Sequence, residues 1–377
     1  MYKLPLLSLY IHIPWCVKRC PYCDFNSYTL ETKIPHITYV EHLLKDLEKD
    51  LPLIANREIH SIFIGGGTPN LLNSYAIQRI IKGINNCLSL SKNVEITIEV
   101  NPGIVEHNQF LKYYHMGINR ISIGIQTLNK EKLLSLGRIH EVEESIQAIS
   151  IAQKLDFNSF NVDLIYGLPK QSLNEAINDL KQIIKRNPPH ISWYQLTIEP
   201  NTLFALNPPE LPNDDVIWNI FKQGKNLLIK AGYHQYEISN YAKINHECKH
   251  NINYWRFGDY VGIGCGAHSK LTQLDGRIIR TVKTKHPYTF MKGKYVEKQY
   301  EVLDVDKPLE FFMNRLRLLE AIPRTDFYDY TGLHEQVIRR ELNEAIATGY
   351  LLETTNYWLI TKKGQLFLNL LLEFFIK

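Results

Sequence analysis

The residues best placed to do chemistry form one short stretch, Cys16-Val-Lys-Arg-Cys20-Pro-Tyr-Cys23, entered through Tyr10, His12 and Pro14. Thiolates are soft ligands, suited to zinc or to an iron–sulfur cluster. A structural zinc site takes four protein ligands, and its cysteines commonly arrive as two separated pairs; no second pair follows here. A cubane [4Fe–4S] cluster held by three cysteines leaves one iron for a ligand that is not protein, which makes the spacing a catalytic signal. Two plainer readings stand beside it: a chance gathering of cysteines in a surface loop, and a zinc knuckle completed by His12.

The elements that must position this loop alternate. Residues 6–13 are a short apolar run, as expected of a strand covered on both faces. Residues 39–51 carry Val40, Leu43, Leu44 and Leu47 between charges, an amphipathic helix. Further strands are expected at 59–64, 94–100, 120–125, 159–165 and 191–198, with helices at 74–88, 107–115, 141–154 and 173–186. Asn101-Pro102 stops the third strand and Pro188-Pro189 closes the last of these helices. Six βα units with crossover helices require a parallel sheet, short of a closed eight-stranded barrel. The fold class is therefore α/β, a partial (β/α)6 barrel.

Composition sets the frame. Hydrophobic residues at 45% and charged residues at 22% describe an ordinary globular chain. A net charge of +4 is too mild for a nucleic-acid groove but leaves room for acidic small molecules. Three of six cysteines fall in one loop, which suits a reducing cytoplasm better than a disulfide framework. Cys87, Cys248 and Cys265 read as small buried hydrophobes. Met1 to Leu9 lacks the apolar core of a signal peptide, and the apolar run 366–376 is too short to span a bilayer.

An open parallel barrel keeps its working groups in the loops at the carboxyl ends of its strands. The cysteine loop follows strand one, Gly65-Gly-Gly-Thr-Pro69 follows strand two, and Glu99, Gln126, Asp163 and Thr197 fall at or near the ends of strands three to six. Singly, each has a bland reading: a flexible turn, a solvated strand end, a helix cap. Their shared rim gives them work. Gly66 and Gly67 allow close backbone approach, with free N–H groups for a carboxylate. Glu99 can accept from ribose hydroxyls, Arg138 offers a fork for a carboxylate, and Tyr22 can cover a cluster, stack on a base or simply pack.

The CxxxCxxC spacing followed by βα units resembles the radical S-adenosylmethionine (SAM) superfamily, in which SAM binds the open iron of the cluster and the protein positions it. The series Tyr10-x-His12-x-Pro14-x-Cys16, Gly65 to Pro69, Glu99, Gly124-x-Gln126, Arg138 and Asp163 to Pro169 is similar to oxygen-independent coproporphyrinogen III oxidase and its relatives over roughly the first 270 residues. The resemblance implies a cluster on Cys16, Cys20 and Cys23, and SAM on Tyr10, Gly66, Gly67, Thr68, Glu99, Gln126, Arg138 and Asp163. Three departures turn it away from the oxidase. Phe25 stands where the oxidase continues with a fourth cysteine, only nine residues precede Tyr10, and His250-Asn-Ile-Asn-Tyr-Trp255 matches the haem chaperone branch of the family. That branch implies haem on His250, transfer to haem-accepting respiratory proteins, a cytoplasmic site of work and no coproporphyrinogen oxidase activity. It is compatible with peripheral membrane contact and with a homodimer. An imidazole is a good axial ligand, and Tyr254 and Trp255 offer flat apolar faces; the plainer reading makes all three packing residues at a domain edge.

Residues 200–212 read as a linker, and 214–230 as a helix packed on the barrel's open side. The glycine-dense run 260–268 allows either close approach to a ligand or a tight strand crossing. From residue 307, three helices (309–319, 324–330, 335–348), a hairpin (350–360) and a last helix from Thr361 suggest a winged-helix-like domain without a basic reading face. It is expected to cover the substrate opening or to meet a protein partner, not nucleic acid. The expected organisation is 1–200 as the core, 201–306 as an extension completing it, and 307–377 as the C-terminal domain.

Overall fold

The computed structural model describes residues 4–30, 33–104 and 107–376. Six strands, each followed by a helix, build the first part: β1 (Leu7–Ile13) and α1 (His36–Ile54), β2 (Ile59–Gly66) and α2 (Ser74–Cys87), β3 (Leu90–Val100) and α3 (His107–His115), β4 (Arg120–Gln126) and α4 (Val142–Lys154), β5 (Ser159–Tyr166) and α5 (Leu173–Lys185), β6 (His190–Gln195) and α6 (Asp214–Lys230). The strands pair in parallel in chain order, because each crossover helix returns the chain to the same end of the sheet. β1 is buried along almost its whole length, β4 likewise, as strands covered by helices on one face and barrel interior on the other must be.

The sheet is not closed. Beyond β1 it gains a seventh parallel strand, β7 (Asp259–Ile263), with Leu7 opposite Asp259 and Ile11 opposite Ile263. Three antiparallel strands follow, His268–Thr272, Ile278–Lys283 and Val296–Glu301. The glycine run serves this turn of the chain: a Cβ on Gly262 would lie 2.1 Å from the carbonyl oxygen of His268, and one on Gly266 would lie 2.2 Å from Asn26 Nδ2. Tight crossing, not ligand approach, explains it. Buried ion pairs fasten the added strands to the barrel. Lys283 Nζ lies 2.6 Å from Asp46 Oδ1 and 2.7 Å from Asp50 Oδ2, while Asp259 pairs with Lys270 at 3.0 Å and Arg57 at 2.7 Å.

α6 does not lie on the open side. It packs outside the barrel against α5 and the outward-facing Trp193, where an added Cβ on Gly224 would fall 1.9 Å from the indole. The stretch expected as a linker contains a short helix, Leu203–Leu206, whose Phe204 is buried in a small satellite core with Leu136, Ile165, Leu168 and Leu196.

The C-terminal segment holds the helices Lys307–Arg315, Arg324–Thr331 and Arg339–Ala347, the hairpin Leu351–Glu353 with Tyr357–Ile360, and Ile322–Pro323 as a third strand. Its own core gathers Phe311, Phe312, Phe327, Trp358 and Phe375 around Phe257. The last helix expected from Thr361 is broken at Phe367 into Lys362–Leu366 and Leu368–Glu373. Among the described residues no helix is long and apolar enough to cross a membrane.

Candidate functional site

The carboxyl ends of β1 to β6 surround a cavity of about 690 Å³, the position such barrels use for binding. Every residue expected to hold the cluster, SAM or haem, from the three cysteines to His250, lines it. Thr197, Tyr254 and Trp255 do so as well, whereas His12 does not.

The cysteine loop is pinned at both ends. Trp15–Cys16 pairs with Tyr28–Thr29, Tyr28 N–H donates to Pro14 O at 2.7 Å, and Cys23 N–H donates to Cys20 O at 3.1 Å. Cys16 is buried; Cys20 and Cys23 are half-buried, and none of the six cysteines is in a disulfide. Burial pushes the Cys16 and Cys23 thiols up, and the neighbouring thiols add to it, so ionising the trio calls for a compensating cation. Arg138 Nη1 approaches Cys20 Sγ at 3.8 Å. His12 is not available as a fourth ligand: its Nδ1 is 3.0 Å from Tyr10 Oη and its Nε2 is 2.9 Å from the carbonyl oxygen of Asn26. Among the described residues no three His, Cys, Asp or Glu side chains stand close enough to hold a single ion. A cubane gives each thiolate its own iron, so its cysteines need not converge on one point, and three thiols facing a cavity fit that group.

The loop after β2 departs from expectation. Its N–H groups are not free for a ligand carboxylate. Gly66 N–H donates to Glu99 Oε2 at 3.1 Å, Gly67 N–H to Ile13 O at 2.7 Å and Thr68 N–H to Trp15 O at 2.7 Å. Gly66 has φ +116°, and a Cβ on Gly67 would sit 2.5 Å from the Trp15 carbonyl oxygen. The glycines are there so that this loop can lock the exit of β1, which carries the cysteines.

Deeper in the cavity two carboxyls share one enclosed space. Burial, then the charge of Asp163, pushes Glu99 up to about 8 against the pull of the Gly66 N–H. Asp163 is raised by burial, although Asn161 Nδ2 at 2.7 Å and Ser122 Oγ at 3.4 Å donate to it. It caps no helix. Gln126 ends β4 in the left-handed region at φ 72°, and its Oε1 accepts from Tyr194 Oη at 2.9 Å. A non-glycine residue held there is strained, a feature that clusters at working sites. Arg138 spends Nη2 on the carbonyl oxygen of Gly124 at 2.7 Å, so only part of its fork faces the cavity. Tyr10 stacks on Phe63, and Tyr22 packs toward Phe204 at the cavity wall.

His250 lies on a helix that the sequence did not announce, α7 (Lys249–Trp255). The Glu95 carboxylate accepts the N–H groups of Lys249 at 3.1 Å and His250 at 3.2 Å, a cap supplied from β3. Burial, helped by the positive charge of Arg120, lowers His250 to about 3, so its ring is neutral. Its Nδ1 is 3.1 Å from Ser61 Oγ, which is 2.7 Å from Ser8 Oγ, which accepts from Asn253 Nδ2 at 2.8 Å. Its Nε2 has no hydrogen-bond partner among the described residues. The ring of Phe63 lies 5.2 Å from the imidazole. Sequence reasoning missed Ser8, Ser61 and Asn253 behind His250, Tyr194 beside Gln126, and Arg317, which reaches the same cavity from the C-terminal segment. Inward alternation along β1 and β2 was the one signal for the two serines.

Residues 10–183 match the family described as the radical SAM superfamily, and residues 304–367 match the HemN C-terminal domain. The chain is 59% identical to heme chaperone HemW of Escherichia coli (strain K12) over 100% of both chains. It is 54% identical to heme chaperone HemW of Haemophilus influenzae over 100% of this chain and 99% of that one. Coproporphyrinogen III oxidase (HemN) from Escherichia coli, a radical SAM enzyme, superposes with a TM-score of 0.85 at 23% identity, covering 99% of this chain and 90% of the other, which speaks for the fold. A partial barrel ending in three thiols, a C-terminal segment of the HemN type and identity along the full length together make this chain a member of the HemW family within the radical SAM superfamily.

Proposed function

We propose that the protein is a haem chaperone of the cytoplasm, which binds haem through His250 and passes it to respiratory haem proteins. In this reading Cys16, Cys20 and Cys23 hold a [4Fe–4S] cluster. SAM lies against Tyr10, Tyr22, the loop of Gly66, Gly67 and Thr68, and the side chains of Glu99, Gln126, Arg138 and Asp163. When bound, cluster and SAM supply one-electron chemistry. The chain's part is to orient and to exclude water: Arg138 braces Cys20, the Gly66 N–H holds Glu99 in place, and Ser61 fixes the His250 ring.

One observation carries the reading. His250 is a neutral imidazole with Nδ1 engaged and Nε2 unpartnered, on the wall of the cavity that also holds the thiols. That is how an outer partner prepares a histidine for iron. The heme chaperone relatives at 59% and 54% identity support it. Haem titration of the reconstituted protein, followed in the Soret band, tests it: His250→Ala should bind haem more weakly, and unchanged binding refutes the assignment.

A second reading, oxidative decarboxylation of coproporphyrinogen III, is favoured by the polar groups Glu99, Gln126, Arg138 and Asp163, which line the same cavity as the three thiols. Anaerobic incubation with reductant, SAM and coproporphyrinogen III decides between the two. Protoporphyrinogen formed with turnover rejects the chaperone reading.

A further inference from the structure

We infer that Arg317 is a carboxylate-binding residue of the cavity, taking a propionate of the porphyrin presented to His250; the inference rests on the haem reading above. Of the arginines that line the cavity, Arg19 and Arg138 lie at the cysteine end and are already engaged, on the Cys23 and Gly124 carbonyl oxygens. Arg317 is not. Among the described residues its guanidinium makes no ion pair and no hydrogen bond, and its Nε is fully buried without a partner. The residue is half-buried; an N–H withdrawn from water with no acceptor is costly, and an anion taken by the fork offsets that cost.

The fork is set in place before any ligand arrives. Arg317 lies over the Trp255 ring with Cζ 4.4 Å from the centroid, which fixes the plane of the fork. Its backbone is tied to the barrel wall by the bridge between Leu318 and Glu237 and by the Leu319 N–H donating to Tyr236 O at 3.0 Å. Glu237 also lines the cavity, where burial pushes its carboxyl up and the positive charge of Arg317 pulls it down; the two do not come within ion-pair distance, and Glu237 Oε1 accepts from Ser239 N–H at 2.8 Å. Trp255 lies on the helix that carries His250. One wall of the cavity therefore offers an imidazole for a metal, flat aromatic faces, and a planar cation. That combination matches a flat metallomacrocycle with carboxylate side chains, and the bidentate geometry of Arg selects the carboxylate.

Full-length reconstituted protein is titrated with haem and, separately, with haem dimethyl ester, whose propionates are neutral. The wild type should prefer haem. Arg317→Gln should lose about tenfold or more in affinity for haem, leave the ester unchanged, and so lose the preference; Arg317→Lys should recover part of it. Iron–sulfur content and the thermal melt report whether each variant is folded. If Arg317→Gln keeps the wild-type preference while His250→Ala still weakens haem binding, this inference alone falls. Equal losses for haem and ester also overturn it. If the wild type binds neither porphyrin, the haem reading falls and takes this one with it.

Discussion

Replacing Ser61 by alanine removes the only described partner of His250 Nδ1. Ligation of a metal by Nε2 needs the ring proton on Nδ1, and Ser61 Oγ at 3.1 Å is placed to accept it, turning its own hydrogen toward Ser8 Oγ at 2.7 Å. Both serines are buried, so water does not replace the lost hydroxyl. Loss of an outer-shell partner of a ligating histidine typically costs roughly 10- to 100-fold in metal affinity. The lower end, about 1.4 kcal/mol, is the size of one hydrogen bond. Ser61→Ala should therefore bind haem about tenfold more weakly and unfold about 1–2 kcal/mol more easily, since Ser8 loses a partner too. Ser8→Ala, one step further from the ring, should show a smaller loss of haem affinity. Soret titration and denaturant unfolding measure the two quantities separately. A Ser61→Ala protein that is less stable yet binds haem as tightly as the wild type would show that the hydroxyl supports only the fold.

Three further outcomes are expected. Because Glu99 is held protonated up to about 8, and only its ionised form is a full acceptor for ribose hydroxyls, SAM affinity should rise as pH increases toward about 8, by up to about tenfold per unit below it; calorimetric titration of wild type against Glu99→Gln checks this, and a pH-independent wild type contradicts it. Haem binding through His250 should be flat between roughly pH 5 and 8, since a ring lowered to about 3 is already neutral there, whereas an ordinary histidine would weaken as pH falls through about 6.5. Lys283→Met strands Asp46 and Asp50, both buried and within 2.7 Å of Nζ, and should cost about 3–5 kcal/mol in equilibrium unfolding; a loss below about 1 kcal/mol would mean that the two carboxyls simply take up protons.

The alternation of β1 to β6 with their helices was legible because each element announces itself locally, by an apolar run or an amphipathic stripe. The cysteine spacing was legible for the same reason. What escaped depends on partners distant in sequence. Lys249-His-Asn-Ile-Asn-Tyr-Trp255 has no helical apolar stripe, and its N–H groups are capped by Glu95, which only the folded sheet brings near. β7 is five residues long, and its place beside β1 is set by pairing across the whole chain. The N–H groups of Gly66 and Gly67, expected to be free, are taken by Glu99 and Ile13, because sequence shows where backbone is permissive but not which acceptor claims each N–H. Arg317 carried no motif at all; its place in the cavity wall, its unpartnered Nε and its stacking on Trp255 single it out only in the folded chain.

The clasp between the two halves bears on how the molecule can be dissected. Asn314 Nδ2 donates to the carbonyl oxygen of Tyr254 at 2.9 Å, and Arg256 grips Glu320 through two bonds of 2.9 and 2.7 Å. A protein cut short before residue 307 would lose the far abutment of the helix bearing the imidazole and lay bare Phe257. Such a fragment could keep its iron–sulfur loop and still misreport on haem, so an isolated barrel is the wrong object on which to measure what this chain carries.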